Sequence, residues 1–425
     1  MKEKPLGFVY YNMRRPLLVV GLIILVALVS AFLYAQQTHS PSSFNLFSSN
    51  NAQLGPTIAS TTSNADFGGI YAIAPPQTDP TKQAQSLPDS FYTNPNIDGV
   101  FVQYPWSELE PSPGVYNWSR VDREMSAIVA AGKKISVEIL PGASTPQWVY
   151  TLGAQKDSFT TPIGPRARCK TIDIPTPWDP TYQKRFAETL QAFASHIKAL
   201  PGVYSAVRIV KITGVTTVTG EFNLPYITSE SPKAGMADCK NITDAITLWQ
   251  NVGYKPSKVI AAWTQAAQAT HAAFPDKTLG VMGFGGSDTF ESLPSINEKG
   301  QVVKGTDPTY VNVNALLLQK GMALFPRQFV AQWDGLSRWA LPQELLDAQK
   351  QGLLLGWQSN ERGGPQKAAC NELTDPLGKT PCTADTYATT LQNGISHGAT
   401  FLELWAPDIL AFPQAVLDAQ TQLKK

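Results

Sequence analysis

The chain has few charged residues and almost no net charge. Asp, Glu, Lys and Arg make up 16% of its 425 residues, and the formal net charge is +1 at pH 7. A nucleic-acid-binding domain usually carries a strongly basic surface, so this balance argues against nucleic acid as a partner. The hydrophobic fraction of 43% is too high for a mainly disordered chain. The length leaves room for one large domain or two ordinary ones.

Several sequence signatures of catalytic chemistry are also missing. The chain has only four His, and none has a metal-ligand partner at helical spacing. There is no Gly-x-Ser-x-Gly elbow of the kind that carries a nucleophilic serine. We therefore expect neither a metal nor an organic cofactor.

Cysteine is scarce, and its spacing matches no zinc-binding pattern. The four residues are Cys169, Cys239, Cys370 and Cys382. An even number of cysteines outside the cytoplasm suggests two disulfides. Cys370–Cys382 would close a short loop and Cys169–Cys239 a long one, but the sequence alone does not choose among the three possible pairings.

One long hydrophobic run stands near the N-terminus. Residues 17–35 contain no charged side chain and are long enough to span a bilayer core as a helix. Residues 1–16 form a basic tail, with Lys2, Lys4, Arg14 and Arg15 against Glu3, which the positive-inside rule keeps in the cytoplasm. We expect a single-pass membrane protein that contacts the lipid bilayer through residues 17–35. The alternative is a cleaved signal peptide with its site near Val29-Ser30-Ala31, which would make the protein secreted.

A polar segment follows the hydrophobic run. Residues 36–65 are rich in Ser, Thr, Asn and Gln and contain no Lys, Arg, Asp or Glu. Such a composition cannot bury a core, so we interpret it as a flexible linker. Residues 66–425 are then the exported globular domain.

Within that domain, short apolar or β-branched runs alternate with helical patterns. The eight predicted strands are Gly69–Ala74, Gly99–Tyr104, Ile135–Leu140, Ala206–Thr213, Thr278–Phe284, Gln328–Trp333, Leu353–Gln358 and Thr400–Trp405. Alternating strands and helices indicate parallel pairing, and eight such units predict an α/β fold, a (β/α)8 TIM barrel with loop insertions. The alternative is a doubly wound open sheet, which the lack of a Gly-rich phosphate loop after the first strand disfavours.

Three glutamates are the candidate catalytic residues, because barrel chemistry takes place at the C-terminal ends of the strands. Glu221 follows the fourth predicted strand, Glu361 follows the seventh, and Glu403 lies inside the eighth. Glu403 is also compatible with a structural ion pair, since a carboxylate in an apolar strand needs a partner. Glu138, in the third strand, is open to the same two interpretations.

Aromatic, amide and acidic side chains collect near the same strand ends. The candidate substrate-binding residues are Tyr104, Trp106, Trp148, Gln332, Trp333, Asp334, Gln358 and Trp405. Together they favour a polyhydroxylated ligand, an oligo- or polysaccharide. The competing interpretation is that most of these rings are core or loop packing.

One segment resembles a known family. Trp106-Ser-Glu-Leu-Glu-Pro-Ser-Pro-Gly-Val-Tyr-Asn-Trp-Ser-Arg-Val-Asp122 is similar to the segment after the second strand of β-galactosidase-like retaining glycoside hydrolases of the (β/α)8 clan, and Thr145-Pro-Gln-Trp148 is similar to their next loop. The resemblance implies a barrel with an acid/base glutamate after the fourth strand and a nucleophile glutamate ending the seventh. Here Glu221 follows Gly220 where the family usually has Asn, and Glu361 stands three residues beyond Gln358.

The sequence thus predicts a membrane-anchored, extracytoplasmic glycoside hydrolase-like barrel. A retaining mechanism would bring Glu221 to within about 5–5.5 Å of a second carboxylate, with Glu361 the first choice and Glu403 the second. The alternatives are a catalytically inactive carbohydrate-binding protein on the same barrel and a purely structural surface protein.

Overall fold

The fold is a closed barrel of eight parallel strands. A computed structural model describes residues 65–74, 86–160, 169–226, 239, 241–283, 293–336, 341–359 and 382–425. In chain order its strands are β1 (Gly69–Ile73), β2 (Gly99–Pro105), β3 (Lys134–Leu140), β4 (Lys156–Thr160), β5 (Thr171–Pro175), β6 (Val207–Lys211), β7 (Thr278–Gly283), β8 (Phe329–Trp333), β9 (Leu354–Gln358) and β10 (Ala399–Trp405). All except β4 and β5 form the barrel, which closes where β1 pairs with β10 and Tyr71 lies opposite Glu403.

All eight predicted barrel strands are confirmed, with ends that differ by one or two residues. The parallel barrel therefore excludes the doubly wound open sheet. The antiparallel hairpin of β4 and β5 was not predicted. It is an insertion after β3, and its charged residues, including Lys156 and Asp173, made it look like a loop in the sequence.

Helices connect most of the strands and cover the outside of the barrel. Their bounds are Ala65–Phe67, Asp89–Tyr92, Trp106–Leu109, Ser119–Ala130, Gly142–Ser144, Gln147–Thr151, Pro180–Ala199, Val203–Ala206, Ala245–Asn251, Pro256–Ala273, Val313–Leu324, Gln343–Lys350, Ala384–Ser396, Ala406–Ala411 and Pro413–Leu423. The first and the fifth of these are 3-10 helices. The apolar stripe of Pro180–Ala199 is buried and consists of Phe186, Leu190, Phe193 and Ile197.

Side-chain caps fix the start of several helices. Asp179 accepts a hydrogen bond from the Tyr182 N–H at 2.9 Å and is followed by Pro180, whose ring suits the first helical turn. The sequence Ser119-Arg-Val-Asp122 predicts a capping box, but this prediction is wrong, because Ser119 is the first helical residue and its hydroxyl donates to Asn117.

The barrel interior is built in layers by alternation along the strands. Tyr71, Ile209, Val330 and Phe401 form an apolar layer with Phe67 near the N-terminal ends. Lys211, Gln332 and Glu403 form a polar layer above it, because each stands two residues further along its strand. Two glycines make this packing possible. A Cβ on Gly356 would lie 2.0 Å from the Phe401 ring, and one on Gly280 would lie 3.0 Å from the Lys211 side chain.

Candidate active site

The C-terminal end of the barrel brings together polar side chains from most of the strands. Gln103, Glu138 and Gln358 face inward from β2, β3 and β9, as their alternation with outward-facing neighbours requires. Glu221 and Asp334 follow β6 and β8. Three carboxyl groups from distant parts of the sequence therefore meet at the mouth of one barrel.

Glu403 is paired with a lysine beneath this mouth. Its Oε1 lies 2.9 Å from the Lys211 ammonium, and both side chains are 0% exposed. The Lys211 Nζ also lies 5.3 Å and 5.0 Å from the ring centroids of Phe101 and Phe401. The pair links β6 to β10 across the barrel, so the structural ion pair foreseen for Glu403 is present.

Gln332 completes the polar layer. Its amide nitrogen donates to Glu403 Oε2 and to Gln358 Oε1, both at 2.8 Å, while its own oxygen accepts from Lys211. Ser136 donates to Glu403 Oε1 at 3.1 Å. Both oxygens of Glu403 are therefore engaged by neighbouring donors.

Glu221, in contrast, has a buried oxygen without a partner. Its side chain is half-buried, and within the described part of the chain Oε2 accepts no hydrogen bond. The loop that carries it is held to the barrel, because the neighbouring Phe222 N–H donates to the Met282 carbonyl of β7 at 2.8 Å. Asn223 steadies the same loop by accepting from the Thr217 N–H at 3.2 Å.

Burial and the charge of Glu221 raise the pKa of two other carboxyl groups at the mouth. Burial, and then Glu221, raise the pKa of Glu138 from 4.5 to about 8. Burial, and then Glu221, also raise the pKa of Asp334 well above its usual value, which the Lys211 charge partly offsets. Glu138 can therefore hold a proton at neutral pH beside Glu221.

Most of the candidate aromatic residues lie away from this mouth. Tyr104 and Trp333 face outward from β2 and β8, next to the inward-facing Gln103 and Gln332, and both are buried against helices or neighbouring rings. Tyr104 lies under the Arg120 guanidinium at 4.7 Å, and the Trp333 ring packs edge-on against Trp357. These rings are core packing, so they have no open face for a sugar.

Trp405 is the candidate tryptophan that faces inward. It packs with Ile73, Phe101 and Met282 inside the barrel, and its indole N–H donates to the Ser359 carbonyl at 2.9 Å. The contact ties the end of β10 to the residue that follows β9. Trp405 is only 8% exposed, so it forms part of the floor of the mouth.

The segment that carries the family resemblance is a packing unit beside the barrel. The Trp106 and Trp148 rings meet edge to face at 5.9 Å, and both indole nitrogens donate to Glu110. Glu110 also accepts from the Thr189 hydroxyl at 2.7 Å and the Gly114 N–H at 2.8 Å. Trp106 is buried and Trp148 is half-buried, so the segment anchors the loop after β2 to the helix Pro180–Ala199.

Cys169 and Cys239 form a disulfide, which is one of the pairings that the sequence leaves open. Cys382 is disulfide-bonded as well, whereas Cys370 lies outside the described residues. The Cys169–Cys239 bond joins the connection between β4 and β5 to the long segment after β6 that also carries Glu221. Thr160 and Thr243 reinforce the same junction with two hydrogen bonds of 2.8 Å and 3.0 Å.

Three other predictions fall on parts of the chain that the structure does not describe. Glu361, the first choice for nucleophile, lies outside the described residues, as do the predicted membrane segment 17–35 and nearly all of the linker 36–65. Within the described residues no helix is both long enough and apolar enough to cross a bilayer. The same residues contain no group of three or more His, Cys, Asp or Glu side chains placed to hold a metal ion.

Sequence reasoning missed Lys211. A single lysine in the run Val207–Lys211 gives no sign of its partner, because Glu403 stands almost two hundred residues later and the two meet only when the barrel closes. The inward-facing position of Lys211, two residues after Ile209, was the available signal, since a buried charge requires a partner.

Comparison with known proteins confirms the resemblance. The β-galactosidase model of glycoside hydrolase family 42 matches residues 93–205, a range that contains Trp106–Asp122 and ends before Glu221. A psychrophilic family 10 endo-β-1,4-xylanase aligns over 81% of this chain and 87% of its own, with 12% identity and a TM-score of 0.40. The β-galactosidase of the psychrophilic Marinomonas ef1 aligns over 83% of this chain and 59% of its own, with 14% identity and a TM-score of 0.46. No curated protein matches the sequence.

Proposed function

We propose that this glycoside hydrolase-like barrel cleaves glycosidic bonds and that Glu221 is its acid/base residue. The observation that carries the proposal is the position of Glu221 at the mouth, with a buried oxygen that has no hydrogen-bond partner among the described residues. A general acid must lie at the mouth with a free oxygen directed to the leaving group. The resemblance over residues 93–205 supports an oligo- or polysaccharide as the substrate.

The second carboxylate in this proposal is Glu361. It stands three residues after Gln358, the last residue of β9, and catalytic residues of such barrels follow the C-terminal ends of the strands. Glu403 is less suited to the role, because Lys211, Ser136 and Gln332 engage both of its oxygens. In a retaining reaction Glu221 protonates the leaving oxygen while the nucleophile attacks the anomeric carbon. Glu221 then deprotonates the water that hydrolyses the glycosyl-enzyme.

The test is turnover by the purified full-length chain on a panel of oligosaccharides and aryl glycosides. We expect wild-type turnover, retention of anomeric configuration by NMR, and a loss of about 100-fold or more in Glu221→Gln. The exposed Glu188→Gln is the matched control and should keep wild-type rates. A first-formed product of inverted anomeric configuration would mean that the second carboxylate acts as a general base and not as a nucleophile. Full activity of Glu221→Gln would exclude the acid/base role of Glu221.

A second candidate function is carbohydrate binding without catalysis. The specific observation in its favour is that β9 ends in an amide, since Gln358 occupies the strand end and accepts a hydrogen bond from Gln332. Glycan binding by the wild type with no turnover, unchanged in Glu221→Gln, would favour this function over hydrolysis.

We also propose that the domain lies outside the cytoplasm, held to the membrane by residues 17–35. The Cys169–Cys239 disulfide supports export, because such bonds persist in oxidising compartments. Labelling of intact cells with a membrane-impermeant amine reagent should modify the barrel. The mass of the mature N-terminus then distinguishes an intact anchor from cleavage near Ala31, and labelling only after lysis would contradict the proposed location.

A further inference from the structure

Glu138 is a buried acid with one committed oxygen and one free oxygen. The side chain is 0% exposed on the inner face of β3. Gln103 on the neighbouring strand donates its amide N–H to Glu138 Oε1 at 2.5 Å. Oε2 has no hydrogen-bond partner within the described residues. Because Oε1 already accepts, the proton of the neutral acid belongs on Oε2.

The backbone of Gly220, which precedes Glu221, lies against Glu138 Oε2. A Cβ added to Gly220 would lie 1.9 Å from Glu138 Oε2 and 2.4 Å from its carboxyl carbon. Gly220 is therefore required for space, and any side chain there would have to push the Glu138 carboxyl group away. The contact joins the end of β3 to the peptide that directly precedes Glu221.

The charged groups around Glu138 disfavour its ionisation. Glu221 faces it from the loop above, and Glu403 adds a more distant negative charge from β10. Among the described residues, Lys211 is the cation that acts on Glu138, but its ammonium is already bound to Glu403 at 2.9 Å. Gln103 is a neutral donor. Burial and the charge of Glu221 together keep Glu138 protonated up to a pKa of about 8.

Building on the function proposed above, we infer that Glu138 is the positioning residue of the acid/base glutamate: its neutral carboxyl group supports Gly220 and keeps a second negative charge away from Glu221. When Glu221 gives its proton to the leaving oxygen, negative charge develops on its carboxylate. A neutral Glu138 permits this, whereas an ionised Glu138 would oppose it by like-charge repulsion.

The experiment is steady-state kinetics of the full-length chain and two variants at pH 6. Glu138→Ala removes the carboxyl group that lies against Gly220, so we expect kcat to fall about tenfold or more while KM changes little. Glu138→Gln keeps the shape of the side chain and the acceptor for Gln103, so it should recover most of that loss. Equal losses in the two variants, or no loss in Glu138→Ala, would overturn the inference.

A second measurement does not depend on turnover. Infrared difference spectra between pH 6 and pH 9 should show loss of a neutral carboxyl signal in wild type that is absent in Glu138→Gln. In Glu221→Gln the same signal should titrate at lower pH, because the neighbouring charge is gone. A signal that Glu138→Gln leaves unchanged overturns the inference even if the enzyme is active. An inactive wild type with the expected spectra refutes hydrolysis alone.

Discussion

Replacing Glu138 by Gln should change the pH dependence of stability in a defined direction. Burial raises the pKa of Glu138 from 4.5 to about 8, so between these values the folded chain binds a proton that the unfolded chain releases. The stabilising contribution of the protonated acid is complete below about pH 4.5 and is lost as the pH rises through 8. One pKa unit corresponds to about 1.4 kcal/mol, so over the whole interval the protonation of Glu138 contributes at most about 5 kcal/mol to the free energy of unfolding.

The assay is urea unfolding of wild type and Glu138→Gln at pH 5 and pH 9, followed by tryptophan fluorescence. The variant cannot ionise, so it should have nearly wild-type stability at pH 5 and exceed wild type by at least about 2 kcal/mol at pH 9. Other acids whose pKa is raised, such as Asp334, affect both proteins alike, so their effects cancel in the difference between the two free energies of unfolding. Glu188→Gln, at an exposed site, should show no pH-dependent difference. A Glu138→Gln difference that stays constant across this range would refute the protonated state assigned to Glu138.

Three further substitutions test the surrounding structure by chemical unfolding. Lys211→Met should lower the free energy of unfolding by about 3–5 kcal/mol, because it leaves Glu403 buried and unpaired, and adding Glu403→Gln should restore part of it. Gly220→Ala should cost about 1–3 kcal/mol, and less when Glu138 is also truncated to Ala, since the added Cβ meets that carboxyl group. Cys169→Ser opens a disulfide across 70 residues and should cost about 4 kcal/mol.

Matched controls separate these effects from general sensitivity to mutation. Lys350→Met removes an exposed ion pair with Asp347 on the outside of the barrel and should produce no measurable change. Gly305→Ala adds a Cβ in open space and should change stability by less than about 0.5 kcal/mol. If these controls lose as much stability as Lys211→Met and Gly220→Ala, the structural explanations of those two losses are contradicted.

The strands of the barrel could be predicted because each is a short apolar run between helical patterns. Val207–Lys211 and Leu354–Gln358 show this well, since both are confirmed within two residues. Capping and hairpin details were harder. The hydroxyl of Ser119 donates to Asn117 and does not cap the helix. The strands β4 and β5 pair through a charged, alternating sequence that also suits a surface loop.

The site was predicted only in part, because the role of a strand residue depends on whether its side chain points into the barrel or toward the helices. Tyr104 and Trp333 stand at strand ends as expected, yet each lies one residue from an inward-facing glutamine and therefore points to the helices. Applying the strict alternation of a strand to these positions would have corrected both. The contact of Gly220 with Glu138 had no such signal, since it depends on a loop that crosses from β6 to the end of β3.

The central claim is that Glu221 donates a proton to the leaving oxygen of a glycoside. It is tested most directly by the leaving-group dependence of kcat/KM in wild type and Glu221→Gln, with aryl and alkyl glycosides of one sugar. The claim predicts a loss of about 100-fold or more for the most basic leaving group and less than about 10-fold for a nitrophenolate, which needs no proton. A loss that is equal across the series, or no loss at all, would contradict it.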